Sequence, residues 1–164
     1  MHDPVGPALL VWLETTALAA AMREGLWLYP IVEIIHIAGF VLLVGAAAMF
    51  DLRLLGVARA LDVGALARFL LPWSRTGLAV AVPSGLLMFS AHATEMIENP
   101  AFQIKLALLL AAGLNAWAFH RGVFRRAASW PPGAATPSAA RAAAVASLAL
   151  WLGVIACGRL LAYL

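Results

Sequence analysis

The chain contains little charge and almost no cysteine. Only 12% of its 164 residues are charged and 64% are hydrophobic, whereas soluble domains have about 25% charged residues. A soluble chain of this composition would expose large apolar patches. Cys157 is the only cysteine, which excludes a disulfide framework and a CxxC metal site. The composition therefore predicts an integral membrane protein.

Basic residues exceed acidic residues only slightly, giving a net charge of +3. Most of the arginines lie in short segments between apolar runs, and they form no extended basic tract. A basic patch or stripe is the usual sign of nucleic-acid binding. We therefore expect no nucleic-acid partner and interpret the arginines as residues that orient the chain in the bilayer.

Four apolar segments are long enough to cross a hydrocarbon core of about 30 Å, which takes about 20 helical residues. Helices are expected because an open sheet would leave backbone groups unpaired in lipid. The sequence thus predicts an all-α fold, an integral membrane four-helix bundle in a single domain over residues 1–164. The predicted spans cover residues 26–50, 69–93, 101–120 and 139–163.

The N-terminal segment, about residues 7–22, differs from the four spans. It is short, and Glu14, Thr15 and Thr16 interrupt its apolar residues. This pattern is typical of a helix that lies in the membrane interface. Because the N-terminus has no basic region of the kind found in cleaved signal peptides, we expect the first span to be an uncleaved insertion signal.

The distribution of arginines between the connections predicts the orientation. The first-to-second and third-to-fourth connections are arginine-rich, whereas the second-to-third connection carries Glu95 and Glu98 and no basic residue. By the positive-inside rule the two basic connections face the cytoplasm. We expect a multi-pass protein of the bacterial inner (cytoplasmic) membrane with both termini periplasmic.

Ionisable and soft side chains inside the spans are costly in lipid and usually mark function. A helical rise of about 1.5 Å per residue places them all in the outer half of the bilayer. Glu33 and His36 are three residues apart and share a helix face. Gly85 shares a helix face with Met88 and His92. A small residue at such a position leaves room for a flat macrocycle between helices. The outer-half residues are Glu33, His36, Met88, His92 and Lys105.

These residues predict a b-type haem held between the first and second spans. His36 would bind the iron on one side, and either His92 or Met88 would bind it on the other. Met88 matches His36 better in depth, whereas His92 is the better match in ligand chemistry. Lys105 would pair with a propionate, and Glu33 would orient His36 through a hydrogen bond.

Two other interpretations of the same cluster stay open. In the first, Glu33 and Lys105 form an interhelical ion pair and His36 is a structural hydrogen-bonding residue, as polar side chains between membrane helices often are. In the second, the outer end of the second span binds copper or zinc. The residues for that metal site would be His92, Glu95 and either Met88 or Met96.

Two stretches of the chain are distinctive, WLYPIVEIIHIAGFVLLVGAAAMFDLRLLG at 27–56 and NPAFQIKLALLLAAGLNAWAFH at 99–120. Their pattern resembles an uncharacterised family of small bacterial four-helix membrane proteins, a domain of unknown function. It is also loosely similar to four-helix cytochrome b subunits and to copper-resistance membrane domains. The resemblance implies a four-helix fold, and the likeness to cytochromes implies histidines that bind haem.

The function that we expect from the sequence is a haem-binding or redox-associated membrane subunit. It would pass electrons to or from quinone or anchor a redox partner, and another membrane or periplasmic subunit would supply any catalysis. The alternatives are a cofactor-free accessory subunit of a larger membrane complex and a metal-handling or transport protein.

Overall fold

A computed structural model describes residues 6–125, 130, 135–161 and 163. Within these residues the secondary structure is helical, and the all-α prediction is confirmed. Short turns and loops connect the helices. The helices are α1 (Ala8–Glu14), α2 (Ala17–Glu24), α3 (Leu28–Leu55), α4 (Val63–Ala91), α5 (Ala93–Glu98), α6 (Pro100–Arg121) and α7 (Ser138–Leu160).

Helices α3 and α4 form the most extensive contact in the structure and run antiparallel. Glycines allow the close approach: a Cβ on Gly77 would lie 2.5 Å from the backbone nitrogen of Leu43 and 2.6 Å from the carbonyl oxygen of Gly39. Small residues at helix crossings are the common way in which membrane helices pack closely. Further along the same pair, Phe50 of α3 and Leu70 of α4 share one buried cluster.

Helix α7 packs on another side of α3, and α6 packs on α7. Asn115 of α6 donates a hydrogen bond to the carbonyl oxygen of Ala143 at 3.0 Å. Within the described residues, no Cα atom of α4 comes within 8 Å of one in α6. These two helices meet through the stacked rings of Phe89 and Phe102, whose centroids are 5.4 Å apart. The four long helices therefore lie in the spatial order α4, α3, α7, α6, and the α4–α6 side is more open.

The three short helices lie together at the end where α3 begins and α4 ends. Glu14 of α1 is buried, and its carboxylate accepts hydrogen bonds from the backbone nitrogen and the hydroxyl of Thr94 at 2.6 and 2.8 Å. Arg23 of α2 donates to the carbonyl oxygens of Glu14 and Ala91. These bonds attach the α1–α2 segment to the region where α4 meets α5.

The N-terminal segment forms two helices instead of the single helix predicted for residues 7–22. The break falls at Thr15 and Thr16. The hydroxyl of Thr16 accepts a hydrogen bond from the backbone nitrogen of Ala19 at 3.3 Å and caps α2. Threonine is a favoured capping residue because its oxygen satisfies a free first-turn N–H group.

Three helical segments are long and apolar enough to cross a membrane, namely Leu28–Leu54, Pro100–Arg125 and Ser138–Leu160. Large apolar side chains are widely exposed along them, among them Ile34, Leu110 and Leu152 at 66%, 66% and 67%. Such surfaces suit contact with lipid tails. Helix α4 matches the predicted second span in position but is not one of the three, and it contains Arg75 and two prolines.

Candidate functional site

His36 lies on α3 where that helix packs against α4. Its Nδ1 is 3.0 Å from the carbonyl oxygen of Ala81 and 3.1 Å from the hydroxyl oxygen of Ser84. A carbonyl oxygen only accepts hydrogen bonds, so the neutral imidazole that makes this contact carries its proton on Nδ1. The Nε2 atom then keeps its lone pair.

The surroundings of the His36 ring are tight on one side and aromatic on another. A Cβ on Gly85 would lie 3.0 Å from the ring's Cε1 atom, so Gly85 provides the space that the ring occupies beside α4. The ring also stacks on Phe40 at a centroid distance of 6.5 Å. Phe40 in turn contacts Trp151 of α7 edge to face at 6.0 Å. His36 therefore sits near the junction of α3, α4 and α7.

Lys105 is the only lysine of the chain and lies half-buried on α6. Its Nζ is 3.8 Å from the position that a Cβ on Gly158 would take, which places the ammonium group against α7. It is close enough to His36 and Cys157 to interact with both electrostatically. Its ammonium group has no hydrogen-bond acceptor among the described residues. The structure thus brings His36 and Lys105, two of the predicted site residues, into one region.

Glu33 lies on α3 within electrostatic range of His36. Its side chain is exposed, on the outside of α3. Among the described residues it makes no ion pair with Lys105 and no hydrogen bond to His36. Ala81 and Ser84 orient the imidazole instead. Helical spacing places Glu33 and His36 on one face of α3, but the packing of α4 and α7 covers His36 and leaves Glu33 exposed.

The other two predicted ligands, Met88 and His92, have separate neighbours in the structure. Met88 packs against a buried cluster that includes Met22 and Val32. His92 is exposed at the junction of α4 and α5, and its ring meets Tyr29 edge to face at 6.5 Å. No described contact joins either of them to His36.

The expected copper or zinc site also gains no support from side-chain clustering. Within the part of the chain that the structure describes, no group of three His, Cys, Asp or Glu side chains is arranged to hold a metal ion. Met96 is half-buried on α5, and Glu95 is exposed on the same short helix.

Sequence reasoning missed several polar contacts because they join residues far apart in the chain. Ser84 is one of them, since a serine within an apolar helix gives no sign of the histidine that it will contact. Asp51 and Arg53 lie just beyond the predicted first span at 26–50, yet they are buried near the end of α3 at 7% and 5% exposure. Asp51 hydrogen-bonds Ser147 of α7, and Arg53 binds carbonyl groups of the loop that follows α3.

Comparison with known proteins gives one result at the level of the family. Searches of curated proteins and of solved structures found no match to this chain. A family of unknown function, DUF6644, matches residues 9–164, nearly the whole length. The chain therefore belongs to the family of unknown function DUF6644.

Proposed function

We propose that the protein is a membrane-embedded four-helix bundle that binds one b-type haem through His36 and serves in electron transfer. The haem would exchange electrons with quinone or with a redox partner in the same membrane. The observation that carries this proposal is the hydrogen bond between Nδ1 of His36 and the carbonyl oxygen of Ala81.

The antiparallel contact of α3 and α4 supports four crossings. His36 contacts Ala81, and Leu43 lies against Gly77 one to two turns further along. Helix α4 thus runs beside α3 through the part of α3 that is apolar enough to span a bilayer. If α3 crosses the membrane, α4 shares its depth and crosses in the opposite direction.

The hydrogen bonds of His36 support its role as a haem ligand. Histidines that bind a metal usually donate their other ring N–H to a carbonyl or carboxylate, which fixes the tautomer and makes the ligating nitrogen more basic. The carbonyl oxygen of Ala81 has this position at Nδ1 of His36. Nε2 is then the nitrogen that would bind iron. A haem supplies one-electron redox chemistry, and axial histidine is one of its common ligands.

The close packing of α3 and α4 excludes one position for the haem. The backbones of the two helices touch at Gly39 and Gly77, so a macrocycle does not fit between them there. We therefore place the haem on the side of His36 that faces α6 and α7, near the more open α4–α6 side. Lys105 reaches this region from α6 and would pair with a propionate.

The proposal commits to His36 as the protein's axial ligand. Met88 and His92, the ligands expected on the second side of the iron, have other packing partners. We expect both to be replaceable without loss of haem. Gly85 is needed for a different reason, because a larger side chain would push the His36 ring out of its place.

A reduced-minus-oxidised absorption spectrum of the purified full-length protein, expressed with ample haem, tests the proposal. We expect the α-band of a b-type haem in the wild type, in Met88→Leu and in His92→Ala, and its loss in His36→Ala. His120→Ala is the matched control, because it removes a half-buried histidine from the opposite end of α6. A wild-type protein that folds without the band contradicts the proposal.

One observation favours a second candidate function, that of an accessory subunit in a larger complex. Glu33 is an exposed carboxylate among exposed isoleucines of α3, including Ile34 and Ile37. A charge that faces lipid is costly, whereas a partner helix can supply a hydrogen-bond donor. Native gel electrophoresis of solubilised membranes distinguishes the two candidates. The accessory function is supported if the protein contains no haem, migrates in a complex larger than itself, and loses that complex in the variant Glu33→Leu.

A further inference from the structure

An arginine-lined pocket lies at the end of the molecule opposite to α1, α2 and α5. The C-terminal end of α3 and the segment before α7 form its walls. Three arginines line it, Arg53, Arg59 and Arg141, and no described lining residue is acidic. Arg59 and Arg141 are exposed to solvent, whereas the charge of Arg53 is buried, and a buried charge without a partner is unfavourable.

Arg53 is the least solvated of the three, with only 5% of its surface exposed. Its Nε donates to the carbonyl oxygen of Leu61 at 2.7 Å, and its Nη2 donates to that of Arg59 at 3.1 Å. Its Nη1 is fully buried and has no hydrogen-bond partner in the structure. A buried charged donor without a partner is costly, and this nitrogen belongs to a residue that lines the pocket.

The second arginine is placed by a glycine. Gly56 ends α3 with a positive φ of 105°, a conformation that residues with a Cβ rarely adopt. A Cβ at this position would lie 3.0 Å from Nε and 3.1 Å from Nη2 of Arg59. The guanidinium group therefore lies directly against the bare α-carbon of Gly56, where it lines the pocket.

The start of α7 adds a positive potential to the same pocket. Thr136 is buried in the pocket wall, two residues before the first residue of α7. Pro137 precedes α7 and provides no side-chain cap for its first turn. The unpaired N–H groups of an uncapped helix start favour a bound anion.

The nearest buried acid does not neutralise the pocket. Asp51 lies two residues before Arg53 in α3, but its carboxylate hydrogen-bonds Ser147 and does not line the cavity. The described residues contain no ion pair between Asp51 and Arg53, and one carboxylate oxygen of Asp51 is itself unpaired.

We propose that Arg53, Arg59 and Arg141 form a binding site for a phosphate group. Guanidinium groups match phosphate oxygens through paired, charge-assisted hydrogen bonds. The phosphate comes from an anionic phospholipid headgroup or from free phosphate in the adjoining solution. Basic pockets between membrane helices at the cytoplasmic side are suited to headgroups. The proposal is independent of the haem.

The test uses the full-length protein in nanodiscs and follows its thermal unfolding midpoint. One arm compares phosphatidylcholine with phosphatidylcholine that contains phosphatidylglycerol, and the other arm titrates inorganic phosphate into the phosphatidylcholine discs. A rise in the midpoint in the first arm identifies the headgroup as the ligand, and a rise in the second identifies free phosphate. If neither raises the midpoint, the proposal is wrong.

The variant Arg59→Gln/Arg141→Gln leaves the structural bonds of Arg53 to the loop in place. We expect it to raise the ligand concentration that gives the wild-type response by about a hundredfold, because each of the two lost arginines contributes about one decade of affinity. Arg68→Gln/Arg121→Gln is the matched control, because it removes the same charge at the same end of the bundle from outside the pocket. An equal loss in the control, or no loss in the pocket variant, overturns the proposal.

Discussion

Glycine at two positions decides how closely α3 and α4 pack. Gly77 lies against the backbone of α3 over Gly39 and Leu43, whereas Gly45 on the same helix pair has no atom within 4 Å of its Cβ position. Both residues look alike in the sequence, since each is a glycine within a long apolar run. Only the crossing point distinguishes a glycine that is required from one that can be replaced.

Gly77→Ala should destabilise the protein, because the new methyl group would clash with backbone atoms of α3, which cannot move away as a flexible side chain could. We expect a loss of about 1–3 kcal/mol, the usual cost of overpacking. Gly45→Ala should be neutral or mildly stabilising, since alanine is the better helix former. Unfolding in detergent with a chemical denaturant measures both. Equal stability of the two variants would show that the close crossing is absent.

At the same scale, Asn115 illustrates how a single polar group joins two apolar helices. Its side-chain nitrogen donates to the carbonyl oxygen of Ala143 across the α6–α7 contact. An asparagine within an apolar segment suggests a hydrogen bond to a neighbouring helix, but the sequence does not identify the partner. The alignment of α6 against α7 makes Ala143 that partner.

Asn115→Leu should weaken the α6–α7 contact by about 0.6–2 kcal/mol, the range found for hydrogen bonds between membrane helices. The same unfolding assay applies. Leu114→Ala, at a neighbouring exposed position, is the control and should have a smaller effect. A larger loss in the control than in Asn115→Leu would argue against the hydrogen bond.

The α1–α2 segment illustrates what determines position at the scale of an element. Its helical character follows from local sequence, with Thr16 as the cap of α2. Its attachment to the rest of the protein depends on Glu14, which is buried at 7% exposure and bound to Thr94, eighty residues further along. In the sequence Glu14 looked like an interruption of an apolar run. In the structure it is the residue that holds α1 to α5.

Glu14→Ala should release α1 and α2 from the end of α4. Thr94 would lose the acceptor for its buried N–H and hydroxyl groups, at a cost of about 1–3 kcal/mol. Hydrogen–deuterium exchange should then increase in α1, α2 and α5 and stay unchanged where α3 crosses α4. Glu24→Ala is the control, because Glu24 is exposed at the end of α2. If exchange rises equally in the control, Glu14 does not hold the segment.

For the whole molecule, the central question is whether α4 crosses the membrane with its neighbours. By length and composition only three helices qualify as spans, and α4 carries Arg75 and two prolines. Its antiparallel packing along α3 would place it at the same depth as α3 if α3 crosses the membrane. Burial against α3 can compensate for a less apolar sequence, because part of α4 then faces protein instead of lipid.

Labelling of single cysteines from the two sides of the membrane tests the crossing. In a Cys157→Ala background, Ala60→Cys and Ala135→Cys should react from one side and Glu98→Cys from the other, if α4 spans. If α4 does not span, Ala60→Cys and Glu98→Cys will react from the same side. The positive-inside rule further predicts that the side shared by positions 60 and 135 is the cytoplasm.

The sequence by itself determined the helical class and the approximate positions of the long helices, because these depend on local apolar runs and on the need to pair backbone groups in lipid. The expected spans at 26–50 and 101–120 lie within or close to α3 and α6. It also singled out His36 and Lys105, since ionisable groups stand out within apolar segments.

Only the tertiary structure decided which of the polar residues meet. It directed Glu33 outward, gave His36 the carbonyl oxygen of Ala81, and buried Arg53 in the wall of a pocket. These outcomes depend on how helices that are distant in the chain are rotated and aligned against one another. The sequence does not determine this rotation and alignment, because the apolar residues along each helix are similar in size. The glycines at the α3–α4 crossing fix them physically, because the two backbones can approach closely only where no side chain stands between them.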